Sequence, residues 1–479
     1  MINLSENIYN YLSSLYGKEA ADRYDDFAGT EPKKYIRVNR LKSSSDRLKT
    51  LLKANYNIST EIVPGVPDAL LIIEDENGLL GKTIEHICGL YYIQSLSSML
   101  PPIVLDPVEN DIVLDLCAAP GSKTTELGEL MNNRGTLISN EIQNDRLRML
   151  VYNIERMNLV NAGVIHSKGE LLSKVYADKF DKVLVDAPCS GLGIVQKKGE
   201  VGDWWSLERA ERLGELQLKL LIAAVKMTNP GGEIVYSTCT LTVEENEIVL
   251  DTVLRKYPVE VIDINLPFEA EDGIVSYNDI ALNPTLKKAK RILPWQSGSE
   301  GFFIIKLRKT GETEPPEQVP PRQRDIRFIG PGSKDIAKKL EKLSSIFGID
   351  KDVFADYRYY FRKNDIFFIT ADWQDENPGL FERIGIKLGT VDRNNEIVLH
   401  TNASQVFGDS ITKSIYQLEN QDELKVYLEG GTIKKDTGSY GQYIIKYNDL
   451  LLGTAIISKA GIKSRFPRSR RTQEILKEF

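Results

Sequence analysis

Short apolar segments alternate with helical patterns between residues 96 and 309 of the chain. The segments that favour strands are residues 111–116, 135–139, 162–166, 181–186, 231–237 and 302–308. Strands that alternate with helices in this way predict a mostly parallel, doubly wound α/β sheet. Ligands of such sheets bind outside the carboxyl ends of the strands, so the residues that follow each strand are the first candidates for a functional site.

The segment before this alternation, residues 1–95, predicts helices followed by a small α/β unit. The sequence KKYIRVNRLK within it carries five cations and no acid: Lys33, Lys34, Arg37, Arg40 and Lys42. Alternation at residues 35–39 predicts a half-buried strand, with the cations projecting from one face. They would face either RNA or solvent, and the pattern leaves both interpretations open.

The segment after the alternation begins with a change in composition. GETEPPEQVPPRQR contains four prolines and no apolar periodicity, so residues 310–324 are predicted to be a linker. Residues 325–392 predict a middle domain, in which RYYFRKNDIFFITADW favours a half-buried pair of strands over a base-stacking surface. Residues 393–479 contain short strands and turns, which predict a further domain.

The composition limits the class of protein. The 479 residues are 42% hydrophobic and 27% charged, as in soluble globular proteins. The formal charge of -7 argues against binding nucleic acid by bulk charge, so any RNA contact must come from local basic patches. Apolar segments fall short of the roughly 18 residues that span a membrane, and the N-terminus lacks a signal-peptide pattern, so we expect a cytoplasmic protein.

Cysteine and histidine are scarce. Four cysteines without a C-x-x-C spacing, together with three histidines, predict neither a disulfide framework nor a metal site. Three of the cysteines, Cys117, Cys189 and Cys239, come just after predicted strands. Their common position at the carboxyl ends of strands argues against three unrelated core residues.

The first candidate motif is DLCAAPGSKTTEL, which begins at Asp115 after a predicted strand. Gly121 lies where the strand turns into a predicted helix over Thr124–Met131, and free N–H groups at a helix start favour an anionic ligand group. Glu141 follows 20 positions after Gly121, about where nucleotide-binding sheets place a carboxylate for ribose hydroxyls. The motif therefore predicts an adenosine-type ligand. The residues predicted to bind this ligand are Cys117, Ala118, Ala119, Pro120, Gly121, Ser122, Lys123, Glu141, Arg146 and Asp186.

Two further motifs follow later strands. Asp186-Ala187-Pro188-Cys189-Ser190-Gly191 presents a carboxylate and a thiol on one turn, and Ser237-Thr238-Cys239 presents a second thiol before a predicted helix. The dipole of that helix is expected to favour the thiolate of Cys239. Either cysteine alone would more often be structural than catalytic.

In combination the three motifs resemble a known family. CAAPGSKT, DAPCSG and STC are similar, in order, to motifs I, IV and VI of the Sun-type RNA (cytosine-5)-methyltransferases, whose cofactor is S-adenosyl-L-methionine. Ser122 stands where the general pattern has Gly, as in the subgroup that modifies 16S ribosomal RNA. The resemblance implies a Rossmann-like methyltransferase core over 96–309. It implies an N-terminal α/β RNA-binding domain over 1–95, and mixed and PUA-like C-terminal domains over 325–392 and 393–479.

The resemblance also implies a mechanism. A thiolate that adds to carbon 6 of cytosine turns the ring into an enamine, which can attack the sulfonium methyl group. The family pattern assigns this addition to Cys239, release of the product to Cys189, and hydrogen bonding to the ring to Asp186. Spacing alone does not divide the roles of the two thiols, since DNA cytosine-5 enzymes use the cysteine of the PC motif as nucleophile.

Two features leave the prediction open in detail. Lys168 stands where the family usually has an adenine-contacting Asp, and Glu170 is a possible substitute. The basic tail predicts RNA contacts, with a frayed terminus as the alternative. Its candidate residues are Lys463, Arg465, Arg468, Arg470 and Arg471.

We expect a monomer whose partner is 16S ribosomal RNA or the small ribosomal subunit. One rival interpretation is a ribosome-assembly factor that binds RNA without turnover, although the intact Asp186, Cys189 and Cys239 speak against it. Another is a nicotinamide-dependent oxidoreductase, but the chain has no G-x-G-x-x-G at the first motif.

Overall fold

The computed structural model describes residues 4–197, 199–314 and 325–471. The elements of the N-terminal unit are α1 (Glu6–Tyr16), α2 (Lys18–Ala28), β1 (Tyr35–Val38), α3 (Ser45–Tyr56), β2 (Ser59–Ile62), β3 (Ala69–Glu74), α4 (Ile84–Ile87) and β4 (Tyr91–Ile93). The strands form an antiparallel sheet in the order β2-β3-β1-β4, and α3 and α4 pack against it. The helices α1 and α2 pack instead against residues of the central part of the chain, such as Leu192 and Trp205.

The central part of the chain forms an α/β unit around one large sheet. Its helices are α5 (Leu96–Leu105), α6 (Ser122–Leu130), α7 (Asn144–Met157), α8 (Val201–Trp204), α9 (Leu207–Met227), α10 (Glu247–Lys256) and α11 (Pro294–Ser297). Its strands are β5 (Ile112–Asp115), β6 (Thr136–Asn140), β7 (Ala162–Ile165), β8 (Phe180–Asp186), β9 (Thr228–Thr238), β10 (Val259–Ile262), β11 (Glu271–Asp272), β12 (Ser276–Tyr277), β13 (Ile280–Ala281), β14 (Lys290–Ile292) and β15 (Phe302–Lys309).

The order of strands in the large sheet confirms the predicted doubly wound core. Strands β9, β8, β5, β6 and β7 are neighbours in that order and are parallel, whereas β15 and β14 continue the sheet in the antiparallel sense. The strands read as continuous apolar runs because helices cover both faces, and Val113, Leu184 and Val235 are fully buried. Burial of each such side chain stabilises the fold by roughly 1.5–3 kcal/mol.

The C-terminal part contains two smaller sheets, with the strand orders β16-β17-β19-β20 and β21-β23-β24-β25-β22. The predicted strand pair is confirmed as the antiparallel hairpin of β16 and β17. The elements are α12 (Ala337–Phe347), β16 (Tyr357–Arg362), β17 (Asp365–Thr370), β18 (Phe381–Ile384), β19 (Ile386–Val391), β20 (Ile397–Leu399), α13 (Thr401–Val406), β21 (Ile415–Gln417), α14 (Gln421–Leu428), β22 (Thr432–Ile433), β23 (Gly441–Tyr447), β24 (Leu450–Ser458) and β25 (Gly461–Ser464).

One strand of the C-terminal part belongs to the large sheet. β18 pairs antiparallel with β7, with Phe381 opposite Ile165 and Ile384 opposite Gly163. A Cβ atom at Gly163 would lie 2.6 Å from the ring of Phe381, so the glycine makes room for this aromatic side chain. The large sheet therefore includes a strand that lies beyond the predicted linker in sequence.

The predicted divisions of the C-terminal part remain predictions. The expected boundary at residue 392 lies between β19 and β20, which pair with each other in one sheet. Residues 315–324 of the expected linker and residues 472–479 of the last expected domain lie outside the described residues. Within the described ranges, helices are too short or too polar to cross a membrane.

The N-terminal unit contacts the central unit through Arg37. β1 is buried along its whole length, so the prediction of a half-buried strand with an outward cation is wrong for Arg37. Its guanidinium donates to the side chains of Thr125 and Glu129 at 2.9 Å and to the carbonyl oxygen of Ser122 at 2.9 Å. These acceptors all lie on α6, so Arg37 fixes the helix that follows the first motif.

Candidate active site

A cavity of about 250 Å³ lies at the carboxyl ends of β5, β8 and β9. This is the edge of the sheet where the sequence predicted a ligand. The lining residues are Ser95, Ser98, Asp115, Cys117, Ala118, Ala119, Pro120, Ser122, Lys123, Arg146, Asp186, Ile194, Cys239, Glu300 and Phe302. The structure therefore brings most of the predicted cofactor residues together with Asp186 and Cys239.

The first motif forms the turn on one side of this cavity. Gly121 has a φ of 108°, in the left-handed region that favours glycine, and α6 begins at the next residue. A Cβ atom at Gly121 would also lie 3.1 Å from Leu150 Cδ1 of α7, which packs against the turn. The first N–H groups of α6 have no partner within the helix, so they are available to a negatively charged ligand group.

Asp115, at the end of β5, lines the same cavity and was not among the predicted site residues. Its Oδ2 accepts a hydrogen bond from Thr124 at 2.7 Å, whereas Oδ1 is buried without a partner among the described residues. Burial raises the pKa of Asp115 to about 7, and Asp186 adds to the shift, although the Thr124 hydrogen bond opposes it. An unpartnered buried oxygen that faces a cavity is suited to a ligand that donates a hydrogen bond.

Glu141 and Arg146 lie together beside the turn. Glu141 is buried, accepts a hydrogen bond from the backbone N–H of Gln143 at 2.7 Å, and lies 3.6 Å from Arg146. Arg146 in turn donates to the carbonyl oxygen of Ala119 and lines the cavity. The side chain of Glu141 is thus held in place next to the residues that form the turn.

Cys117 lines the cavity as a neutral thiol. Burial raises its pKa well above the usual range, and the carboxylates of Asp115, Asp186 and Glu141 raise it further. Because a thiolate is disfavoured there, the structure favours a contact role for Cys117 over a nucleophilic one.

The thiols of Cys189 and Cys239 lie side by side. Their sulfur atoms are 2.9 Å apart, and both residues are free cysteines. Cys239 lines the cavity, so it is the thiol that a molecule in the cavity can contact. The hydrogen bond with Cys239, followed by burial, raises the pKa of Cys189 well above its usual range, so Cys189 remains a thiol.

Asp186 is held beside the two thiols by contacts with two side chains. Its Oδ2 lies 2.7 Å from the ammonium of Lys123, and its Oδ1 accepts a hydrogen bond from Ser237 at 2.8 Å. Burial lowers the pKa of Lys123, but the interaction with Asp186 outweighs it, so the net pKa is raised. Lys123 also donates to the hydroxyl of Ser98 at 2.8 Å.

The helix that follows Cys239 begins too far along the chain for its dipole to stabilise the Cys239 thiolate. α10 starts at Glu247, eight positions beyond Cys239 in the sequence (247 − 239). Because the dipole effect falls off within the first turn of a helix, the predicted stabilisation of the Cys239 thiolate by α10 is wrong. Asn246 and Thr238 are instead joined by a side-chain hydrogen bond of 2.7 Å, which closes the loop between β9 and α10.

The region after β7 contains the predicted departure from the family pattern. Lys168 is exposed, and Glu170 is half-buried on a short 3₁₀ helix over Gly169–Lys174. His166 contacts the carbonyl oxygen of Ile142 at 2.8 Å. The contact of either Lys168 or Glu170 with an adenine ring remains a prediction.

The basic tail divides into exposed and buried residues. Lys463, Arg465, Arg468 and Arg471 are exposed, and they lie outside the cavity described above. Arg470 differs, since its guanidinium is buried and donates to Asn402 Oδ1 at 2.8 Å. Its place in an exposed RNA-binding surface is therefore not supported by the geometry. A contact of the exposed residues with RNA remains a prediction.

Sequence reasoning missed several lining residues that come from outside the three motifs: Ser95, Ser98, Ile194, Glu300 and Phe302. Ser95 donates to Glu300 at 2.6 Å, across 205 positions of sequence. Local patterns do not predict such contacts.

Comparison with known proteins identifies the family. A family model described as 16S rRNA methyltransferase RsmB/F matches residues 102–308. The chain is 32% identical over 489 residues to ribosomal RNA small subunit methyltransferase F of Shewanella sp. (strain MR-4), covering 99% of both chains. The protein of the same name from Shewanella oneidensis is also 32% identical, over 483 residues and 99% of both chains. This chain belongs to the RsmB/F family of 16S rRNA methyltransferases.

Solved structures agree with this assignment. A methyltransferase homolog protein from Pyrococcus horikoshii is 33% identical, with a TM-score of 0.54 and coverage of 64% of this chain and all of that one. NSun6 from Pyrococcus horikoshii, solved with the S-adenosylmethionine analogue SFG, is 25% identical, with a TM-score of 0.56 over 65% of this chain and 100% of that one. The predicted family, the Rossmann-like α/β fold and the S-adenosylmethionine cofactor are confirmed.

Proposed function

We propose that this protein methylates carbon 5 of cytosine in 16S ribosomal RNA, with S-adenosyl-L-methionine as methyl donor. The observation that carries the proposal is the pair of thiols, Cys189 and Cys239, whose sulfur atoms lie 2.9 Å apart beside the Asp186 carboxylate. Methylation of an exocyclic amine or a ribose hydroxyl does not need a cysteine nucleophile, whereas methylation of carbon 5 does. The names of the relatives, which refer to small-subunit ribosomal RNA, and the description of the family model, which refers to 16S rRNA, support 16S ribosomal RNA as the substrate.

The cavity residues fit S-adenosyl-L-methionine. Asp115 Oδ1, which is buried without a partner among the described residues, suits the amino group of the methionine part. The first N–H groups of α6 suit its carboxylate. Glu141 is outside the cavity lining but lies 3.6 Å from Arg146, which lines the cavity, and its carboxylate suits the ribose hydroxyls. When bound, the cofactor supplies a sulfonium methyl group to carbon 5.

Cys239 is the nucleophile in this proposal because it lines the cavity, whereas Cys189 lies behind it. The Cys239 thiol gives up its proton, which passes through water to the ring nitrogen N3 of cytosine. The Cys239 sulfur bonds to carbon 6, and the electron pair of the C5–C6 double bond moves to make carbon 5 nucleophilic. Asp186 accepts hydrogen bonds from the amino group and from the N–H formed at N3, which stabilises the charge that develops on addition. The ion pair with Lys123 orients the Asp186 carboxylate for this task.

Release reverses the addition after the methyl group has been transferred. The carbon 5 proton passes to solvent water, the C5–H electron pair restores the C5–C6 double bond, and the C6–S electron pair returns to Cys239. Cys189 remains a thiol and donates its S–H toward the departing sulfur of Cys239, which stabilises the leaving thiolate. This role agrees with the division of labour that the family resemblance implies.

The test is to map 5-methylcytosine in 16S ribosomal RNA by bisulfite sequencing in cells with and without this protein. The proposal requires at least one cytosine whose methylation disappears in cells without the protein and is restored by purified protein with S-adenosyl-L-methionine. Methyl transfer to RNA with the label on adenine, guanine or ribose would refute the cytosine assignment. Absence of methyl transfer to any RNA would favour an assembly factor without turnover.

A further inference from the structure

The turn that carries Cys189 is hydrogen-bonded to two residues outside the three motifs, Gln217 and Glu245. Gln217, in the middle of α9, donates from Nε2 to the carbonyl oxygen of Pro188 at 2.9 Å and to Glu245 Oε1 at 2.9 Å. Glu245 Oε1 also accepts from the backbone N–H of Ser190 at 2.8 Å. The residues immediately before and after Cys189 are therefore both bonded to the Gln217–Glu245 pair.

Glu245 accepts as many hydrogen bonds as a carboxylate readily can. Its Oε1 accepts from Ser190 N–H and Gln217, and its Oε2 accepts from the hydroxyls of Ser190 and Thr242, the latter at 2.7 Å. Gln217, Ser190 and Glu245 are fully buried, so these bonds are shielded from competing water. Burial raises the pKa of Glu245, while the bonds from Ser190, Thr242 and Gln217 oppose the shift.

The same carboxylate connects the two thiol-bearing loops. Thr242 and Glu245 follow Cys239 in the loop between β9 and α10, whereas Ser190 follows Cys189 in the loop after β8. Ser190 and Thr240 are also joined directly, with their hydroxyl oxygens 3.0 Å apart. Glu245 thus sets the distance between the backbones that carry the two sulfur atoms.

We propose that Gln217 and Glu245 are positioning residues for product release, since they hold the Cys189 thiol against Cys239. This inference rests on the proposed function, in which Cys189 acts only after methyl transfer. Neither residue lines the cavity, so neither is a catalytic residue. Loss of the pair lets the Cys189 turn move away from Cys239, while Cys239 and Asp186 keep their places at the strand ends.

The test compares Gln217→Leu with Glu245→Gln. Gln217→Leu removes both hydrogen bonds that Gln217 donates, at similar side-chain volume, and leaves the Glu245 carboxylate with its bonds from Ser190 and Thr242, so it is the cleaner variant if Glu245→Gln does not fold. Gln405→Leu is the matched control, because it removes a half-buried amide of α13 that donates to Leu452 at 3.3 Å, far in sequence from both thiols. Thermal unfolding of each variant is measured in parallel.

The rate of methyl transfer and the rate of product release together distinguish a positioning role of Gln217 from a general effect on stability. In a single turnover with labelled 16S ribosomal RNA, Gln217→Leu is expected to transfer the methyl group at a rate within about threefold of the wild-type rate. The variant is expected to release the methylated RNA from Cys239 at least about tenfold more slowly than the wild type. A covalent protein–RNA complex should then accumulate on denaturing gels, as it should in Cys189→Ala. A purely structural role would lower methyl transfer and complex formation together.

The outcomes distinguish this inference from the proposed function. A folded Gln217→Leu protein with the wild-type level of covalent complex, or with both rates reduced in parallel, would overturn the positioning role. If Cys189→Ala accumulates the complex and Gln217→Leu does not, only the inference fails. If Cys189→Ala itself forms no complex while it still methylates, the assignment of release to Cys189 in the proposed function fails.

Discussion

The ammonium of Lys123 lies 2.7 Å from the carboxylate of Asp186. This ion pair joins the first turn of α6, which follows the cofactor turn, to the end of β8, which carries the carboxylate proposed to contact cytosine. The ion pair thus links the two halves of the proposed site, one for the cofactor and one for the base. A change at Lys123 should affect the chemical step in addition to cofactor binding.

Lys123→Met should reduce kcat/KM for methyl transfer by about 100-fold, because the Asp186 carboxylate loses the ion pair that orients it. Lys182→Met is the matched control. Lys182 lies near the start of the same strand, β8, and forms an ion pair with Glu233 at 3.3 Å, far from the cavity. Equal losses in the two variants would show that Lys123 serves only the stability of the sheet.

Glu141→Ala should weaken S-adenosyl-L-methionine binding by about tenfold without unfolding the protein, because it removes the carboxylate placed for the ribose hydroxyls. Isothermal titration calorimetry measures the affinity directly. Asp145→Ala is the control, since this nearby carboxylate is exposed and pairs only with Arg148 at 3.6 Å among the described residues. An unchanged affinity in Glu141→Ala would remove Glu141 from the cofactor site.

The two thiols should give opposite results when they are replaced. Cys239→Ala should abolish methylation and form no covalent complex with RNA, because the ring is never activated. Cys189→Ala should methylate once and then remain bonded to the RNA through Cys239, since the departing sulfur lacks its hydrogen-bond donor. The complex should survive denaturing electrophoresis, require both cofactor and RNA, and disappear in the double variant.

Cys88→Ala is the control for these replacements, because Cys88 is a buried free cysteine outside the cavity. Accumulation of the complex in Cys239→Ala, with none in Cys189→Ala, would reverse the two roles. Methylation that persists in Cys239→Ala, with no complex in any variant, would exclude covalent catalysis by these thiols.

The exposed cations of the basic tail should contribute to RNA binding by neutralising phosphates. Replacing Lys463, Arg465 and Arg468 by Ala should reduce the slope of log K against log salt by about 0.7 to 0.9 for each phosphate that no longer has a cation beside it. The control replaces three exposed cations elsewhere on the C-terminal part: Lys338, Lys363 and Arg393. Binding isotherms with the same salt slope in both triple variants would favour a tail that does not bind RNA.

The acid stability of the protein should depend on His400. Burial, followed by Lys387 and Arg470, lowers the pKa of His400 to about 3, whereas in the unfolded chain it is about 6.5. At a pH between about 3 and about 6.5, His400 binds a proton in the unfolded chain but not in the folded chain. The free energy of unfolding should therefore fall with decreasing pH below about 6.5, by up to about 1.4 kcal/mol per pH unit for this residue.

His400→Asn removes this titration and keeps a capping acceptor for the N–H of Asn402, which His400 Nδ1 provides at 3.2 Å. Urea unfolding at pH 7 and pH 5 should show a smaller loss of stability in the variant than in the wild type, by about 2 kcal/mol or less. His166→Asn is the control, because His166 is exposed. An equal pH dependence in His400→Asn and wild type would contradict the prediction.

The strands and the three motif loops were predictable because each depends on residues close together in sequence. Apolar runs such as 181–186 predict buried strands, and the loops that follow them must meet at one edge of a parallel sheet. Arg37, Arg470 and Gln217 were not predictable in the same way. The burial of each depends on a hydrogen-bond partner far away in sequence. The partners are Glu129 for Arg37, Asn402 for Arg470 and Glu245 for Gln217. Local sequence patterns carry no information on such pairs.

The pairing of β18 with β7 ties the folding of the methyltransferase sheet to the order of protein synthesis. The ribosome completes β15 at Lys309, but the last partner of the sheet is synthesised only when the chain reaches Ile384. Until then β7 is an edge strand, and its unpaired backbone N–H and C=O groups can pair with unrelated chains. The C-terminal part therefore covers this edge of the sheet only once it has been synthesised, and a chain that ends before Phe381 would leave β7 as an exposed edge strand.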